Sequence, residues 1–95
     1  VSGGVNIPLG AVETVLADVP TVQEVVVVAR ADAEWGDIVT ACVRGALDRQ
    51  TAADALQAAG HPRSWCPQII EIVDSFPLLP GGKVDRRALV EPRVR

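Results

Sequence analysis

One lysine stands among nine basic residues in 95, and it is Lys83. It lies in Pro77-Leu78-Leu79-Pro80-Gly81-Gly82-Lys83-Val84-Asp85-Arg86-Arg87, a proline- and glycine-rich stretch that runs into arginines. Arginine is a planar fork suited to fixed bidentate contacts, whereas lysine is a point charge on a flexible stem that follows a shifting charge distribution. A loop lysine of this kind is a candidate for phosphate chemistry. Leu79-Pro80-Gly81-Gly82 fits a type II turn, with Pro80 setting φ and Gly81 supplying positive φ, and such a turn presents Lys83 at the surface. By spacing alone it is also an ordinary solvated lysine at a strand end. It is not a P-loop, since that motif needs a longer glycine spacing and Val84 stands where Ser or Thr belongs.

Composition removes several other chemistries. His61 is the only histidine, and Cys42 and Cys66 have no C-x-x-C spacing, so neither a metal site nor a Ser/His/Asp triad can be assembled, and no metal is expected. Cys42 sits in an apolar run and Cys66 beside a proline, and no disulfide is required. No apolar run approaches the roughly 20 residues of a membrane span, and no signal peptide is visible, so a cytoplasmic location is expected. The net charge of −3 conceals an asymmetry, about −6 over residues 1–74 and +3 over residues 75–95. The basic end seeks anions. Overall acidity and the lack of interleaved aromatics argue against nucleic acid and in favour of small phosphorylated ligands.

The elements that must position the lysine follow from periodicity. Gly3-Gly4 between short apolar stretches predicts a turn or hairpin ahead of a helix. That helix starts after Pro8, with Leu9, Val12, Val15 and Leu16 on one stripe, Glu13, Thr14 and Asp18 facing away, and Pro20 ending it. Val22–Ala29 contains four consecutive valines and predicts a strand covered on both faces, at the centre of the sheet. A polar loop with Trp35 leads to a second strand, Ile38–Val43, paired antiparallel to the first. Thr51-Ala52-Ala53-Asp54 predicts a capped second helix that stops at Gly60. Ile69–Val73 predicts a third strand, and Arg86–Val90 one further helical turn. The whole is an α+β fold: a small, about three-stranded sheet with an N-terminal hairpin, covered by helices, in one domain over residues 1–95. A chain this short holds one modest core and no deep cleft, so a partner domain is expected to supply the other wall of any active site.

Taken together, Ser2-Gly3-Gly4-Val5-Asn6-Ile7, Val12-Glu13, Trp35-Gly36 and Pro77 to Arg87 with Leu89 resemble, in order and spacing, the C-terminal subdomain of the adenylate-forming enzymes. That superfamily contains acyl- and aryl-CoA synthetases, peptide-synthetase adenylation domains and luciferases. The resemblance implies an ATP-dependent two-step ligase, with ATP carried as its Mg2+ complex. A carboxylate attacks the α-phosphate of ATP to give an acyl-adenylate, then a thiol such as CoA displaces AMP. It further implies a mobile lid working against the enzyme's own N-terminal domain, which binds ATP and the aryl or acyl acid. The family's hinge would fall just before Val1, and the isolated piece is expected to be inactive.

Lys83 matches the lysine that such lids present in the first half-reaction, on a loop formed by Pro80, Gly81 and Gly82. Gly3 and Gly4 match the turn beside the pantetheine channel, and Trp35 an aromatic near the nucleotide end of CoA. Ser64, Trp65, Cys66 and Gln68 depart from the pattern of some CoA ligases around Pro67. Leu79 stands where peptide-synthetase domains usually carry Thr. Pro77 and the spacing to Gly82-Lys83 also resemble a site for a lysine acetyltransferase, whose product would lack the ammonium. Within the superfamily, Ser2 to Leu9 and Leu78 to Lys83 look most like the o-succinylbenzoate-CoA ligases of menaquinone biosynthesis. A different class stays open on the residues themselves: a free-standing anion-binding or regulatory module.

Overall fold

A computed structural model describes residues 7–32, 34 and 36–90. The Gly3-Gly4 turn, the expected N-terminal hairpin and Trp35 lie outside the described residues.

Helix α1 spans Leu9–Ala17 and follows Pro8, and it buries Val12 and Leu16 completely. Strands β1 (Val22–Asp32) and β2 (Gly36–Gly45) form an antiparallel pair in which Val27 faces Ala41. Helix α2 spans Arg49–Ala58. A short 3-10 turn, Arg63–Trp65, leads to β3 (Ile69–Ile72), which runs parallel to β2 with Cys42 opposite Glu71. After the lysine loop comes α3, Arg86–Val90. The sheet is therefore mixed, with the order β1-β2-β3.

Two expectations change here. The valine run of β1 is covered on both faces, Val25 to Val28 all being buried, yet β1 lies at the edge and β2 at the centre. Burial on both faces reports the layers above and below a strand and says nothing about its lateral neighbours. Among the described residues that edge is met by a side chain instead of a strand: the Val27 amide donates to Glu13 Oε1 at 2.9 Å. The second correction concerns α2, which begins two residues before Thr51. Asp48, in an extended conformation, is the cap and accepts from the Thr51 amide at 2.7 Å. A carboxylate three residues upstream satisfies that N–H, whereas Thr51 is already inside the first turn. The stop is as expected: with Gly60 at φ 89°, its amide and that of His61 close onto the Gln57 and Leu56 carbonyls.

The core is split by the sheet. On one face Val25, Val27, Val39, Ala41 and Val43 meet Val12, Leu16, Ala52 and Leu56 from α1 and α2. On the other, Val26, Val28 and Cys42 meet Phe76 and Leu89, with Val73 and Val84 against them. Phe76, ahead of the lysine loop, is buried in this second, smaller cluster, and Val84, after it, is partly buried against it.

Candidate functional site: a braced lysine hairpin

Phe76 and Val84 anchor the two ends of a short hairpin. The Asp85 amide donates to Pro77 O at 2.8 Å, Leu78 bridges Val84, and the Leu79 amide donates to Lys83 O at 2.7 Å. At the tip the Gly82 amide donates to Leu79 O at 2.8 Å, closing a turn over Pro80 and Gly81. The turn is not the type II expected from sequence. Gly82, at φ 91°, is the glycine with positive φ, and Gly81 is not. That is a type I turn followed by a left-handed residue, the usual solution for a three-residue hairpin loop. Pro80 serves as the second residue in either turn, so the sequence pattern does not tell them apart.

The hairpin projects. Every residue from Pro77 to Lys83 is exposed, and Leu78 and Leu79 are large apolar side chains with 61% and 46% of their surface open. Among the described residues the Lys83 ammonium makes no ion pair and no hydrogen bond. Most arginines are committed elsewhere: Arg30 to Glu71, Arg44 to Glu24, Arg63 to Asp54 and Arg86 to Glu13. Arg49 donates to Pro67 O. Of the described lysine and arginine side chains, Lys83 and Arg87 alone lack such a partner.

The base of the hairpin is held by charged groups that sequence reasoning passed over. Arg86 Nη1 and Nη2 donate in parallel to Glu13 Oε1 and Oε2 at 2.9 and 2.8 Å. Glu13, expected to face away, is thus half-buried between α1, β1 and α3. Burial would raise its carboxyl, but the hydrogen bonds from Arg86 and the Val27 amide, with the Arg86 charge, outweigh that and hold it below the usual 4.5. Arg30 ties the other end of α3, its Nε donating to Leu89 O at 2.7 Å and its Nη2 to Glu71 Oε1 at 3.2 Å. The clue to Glu13 was present: Val12-Glu13 and Arg86 belong to the same motif set, although periodicity alone puts Glu13 on the wet side of its helix.

The predicted residues Lys83, Pro80, Gly81 and Gly82 come together at this tip. Gly3, Gly4 and Trp35 lie outside the described residues, so the thiol-channel assignment has no geometry here. Among the described residues no cluster of three His, Cys, Asp or Glu side chains is placed to hold a metal ion. No described helix is long and apolar enough to cross a membrane. A concavity between α1 and α2, lined by Val15, Pro20, Ala55 and Ala58, lies on the opposite face of the sheet from the lysine hairpin.

A small three-stranded mixed sheet with helices is the architecture of the C-terminal subdomain of adenylate-forming enzymes. A family model for the AMP-binding enzyme C-terminal domain matches residues 11–83, and the chain belongs to that family. It is 38% identical over 92 residues to a linear gramicidin synthase of Brevibacillus parabrevis, covering 94% of this chain and 2% of that protein. It is 37% identical over 101 residues to the medium/long-chain-fatty-acid–CoA ligase FadD8 of Mycobacterium tuberculosis, covering 94% of this chain and 17% of that one. Among solved structures, apo MbtA of Mycobacterium smegmatis superposes with a TM-score of 0.83 at 26% identity, over 95% of this chain and 18% of the other. A fatty acyl CoA synthetase of Mycobacterium tuberculosis gives 0.79 at 27% identity, over 96% and 20%. The chain thus spans a small part of the length of the relatives it matches.

Proposed function

We propose that this domain is the mobile lid of a cytoplasmic, ATP-dependent acid–thiol ligase, and that Lys83 is its catalytic residue in adenylate formation. The observation that carries this reading is an ammonium with no partner among the described residues, at the tip of a projecting hairpin flanked by exposed leucines. When carboxylate oxygen meets the α-phosphorus, negative charge spreads over the phosphoryl and carboxylate oxygens. A preplaced ammonium in a closed, dry interface stabilises that distribution more than it stabilises the ground state. Leu78 and Leu79 supply apolar surface that a larger N-terminal domain would cover on closure, excluding water around the charge. Mg2+ would arrive with ATP, bound mainly by that larger domain. In the second half-reaction the lid turns, the lysine leaves, and a thiol enters past Gly3 and Gly4, with Trp35 near the nucleotide end of CoA.

Among acids, the Ser2 to Leu9 and Leu78 to Lys83 segments favour o-succinylbenzoate and a place in menaquinone biosynthesis. A second reading rests on the likeness to linear gramicidin synthase: an amino-acid adenylation domain whose acceptor is a carrier-bound pantetheine. Leu79, where peptide-synthetase domains usually carry Thr, argues against this branch. Acetylation of Lys83 by a lysine acetyltransferase would remove the one ammonium and switch off adenylation alone.

The test uses the enzyme that carries this domain. Acid-driven ATP–pyrophosphate exchange should fall by about two orders of magnitude or more in Lys83→Ala. Thioester formation from premade adenylate should continue. Exchange driven by o-succinylbenzoate and product on CoA would support the ligase branch, whereas exchange driven by an amino acid and product on a carrier protein would support the other. Normal exchange in Lys83→Ala would remove the reading altogether, and normal exchange after stoichiometric acetylation of Lys83 would remove the regulatory part.

A further inference from the structure

Helix α3, which continues the lysine hairpin, is described over Arg86–Val90. A helical turn takes its orientation from what it is tied to, since most helical stability in a protein comes from tertiary contacts. At its far end Leu89, 2% exposed, packs with Val26, Val28 and Cys42, and its carbonyl accepts from Arg30 Nε. At its first residue the tie is the Arg86–Glu13 fork. That first residue is separated from Lys83 only by Val84 and Asp85.

Glu13 is itself a fixed point. It lies on α1 between Val12 and Leu16, both fully buried, and its Oε1 also accepts the Val27 amide of β1. A continuous set of contacts therefore runs from β1 through Glu13 and Arg86 into the stem of the hairpin. The opposite stem is anchored only as far as Phe76, beyond which Pro77 to Lys83 are all exposed. The direction in which the hairpin projects is decided at its base, and a small tilt there becomes a larger displacement at the ammonium.

We propose that Glu13 and Arg86 are positioning residues for Lys83, aiming the hairpin so that the ammonium reaches one place when the lid closes. This rests on the reading of Lys83 given above. The two parallel bonds matter more than the charge. A bidentate guanidinium–carboxylate pair fixes angle as well as distance, which a lysine at position 86 would not do, although it would keep the ion pair. Misplacement of a catalytic group by about 1 Å is enough to lower a rate by about 100-fold.

The experiment compares Lys83→Ala, Arg86→Lys, Glu13→Gln and the double variant in the enzyme that carries this domain. It measures ATP–pyrophosphate exchange and, separately, thioester formation from premade adenylate. Arg86→Lys should lower kcat for exchange by roughly 10- to 100-fold, with KM for acid and ATP and the second half-reaction unchanged. Glu13→Gln should act in the same sense, and the double variant should be no worse than the more impaired single. Equal losses in both half-reactions would assign the pair a merely structural role and overturn the proposal. So would unaltered exchange in Arg86→Lys where Lys83→Ala has none. Exchange that survives Lys83→Ala is a separate failure, that of the underlying reading of Lys83.

Discussion

One face of the sheet buries side chains of β1 and β2 beneath α1 and α2, in a cluster made of Val, Leu and Ala. The other buries Val26, Val28 and Cys42 beneath Phe76 and Leu89, and beside that smaller cluster stand Arg30, Glu71, Glu13 and Arg86. The first face gains its stability from area removed from water, which is non-directional and tolerant of how the helices sit. The second must hold a hairpin at an angle, and forked hydrogen bonds do that with few residues. Stability and aim are thus divided between the faces, and substitutions should separate them.

The largest effect belongs to the apolar face. Leu56 and Leu16 are fully buried, so Leu56→Ala should lose about 2–5 kcal/mol, transfer and cavity together. A urea melt should show a lower midpoint with the slope kept, and the two half-reactions should decline together as folded protein is lost. On the hairpin face Arg30→Ala should lose about 1–3 kcal/mol, because Leu89 O and Glu71 both lose a charged donor in a partly buried place. Amide exchange should speed up first in α3 rather than in α1 or α2. If the two variants loosened the same amides, the proposed division between the faces would fail.

Next comes a pair of substitutions at the hairpin tip. Gly82→Ala forces a Cβ onto φ 91°, with no neighbour within 4 Å, so the loss is conformational and about 1 kcal/mol. Gly81→Ala also meets nothing within 4 Å and has no positive φ to strain, so it should be neutral or slightly stabilising. Exchange activity should fall in Gly82→Ala and persist in Gly81→Ala. The reverse order would restore the type II turn that the sequence suggested.

What the sequence made legible follows the same division. Helix α1, the two long strands, Gly60 as a stop and the lysine loop are local patterns of period and punctuation, and each is where its residues implied. The position of β1 at the edge, the parallel pairing of β3 and the Asp48 cap depend on which neighbour or competing group arrives, which periodicity does not encode. The same holds for Glu13 and Arg86, which lie 73 residues apart in sequence yet share two hydrogen bonds. A chain of charges near a glycine turn reads as a solvated basic patch until the partner 73 residues upstream is in place.

The smallest effect is a pH dependence confined to the charged ties. The folded carboxyl of Glu13 lies below its ordinary value of 4.5, so ionised Glu13 contributes stability above that value. The contribution is lost as pH falls through the folded value. Asp48 and Asp54 are lowered too, by the Thr51 amide and by Arg63 respectively, so wild type loses stability in acid for more than one reason. Glu13→Gln isolates one of them: its destabilisation relative to wild type should hold above the ordinary carboxyl value of 4.5 and shrink as pH falls below it through the lowered folded value, where wild-type Glu13 also becomes neutral. The apolar cluster contains no titratable carboxylate, and the loss caused by Leu56→Ala should stay nearly constant over that range. A Leu56→Ala loss that shrank in parallel with that of Glu13→Gln would mean that both faces melt as one unit in acid, and the independence argued for the charged ties would be gone.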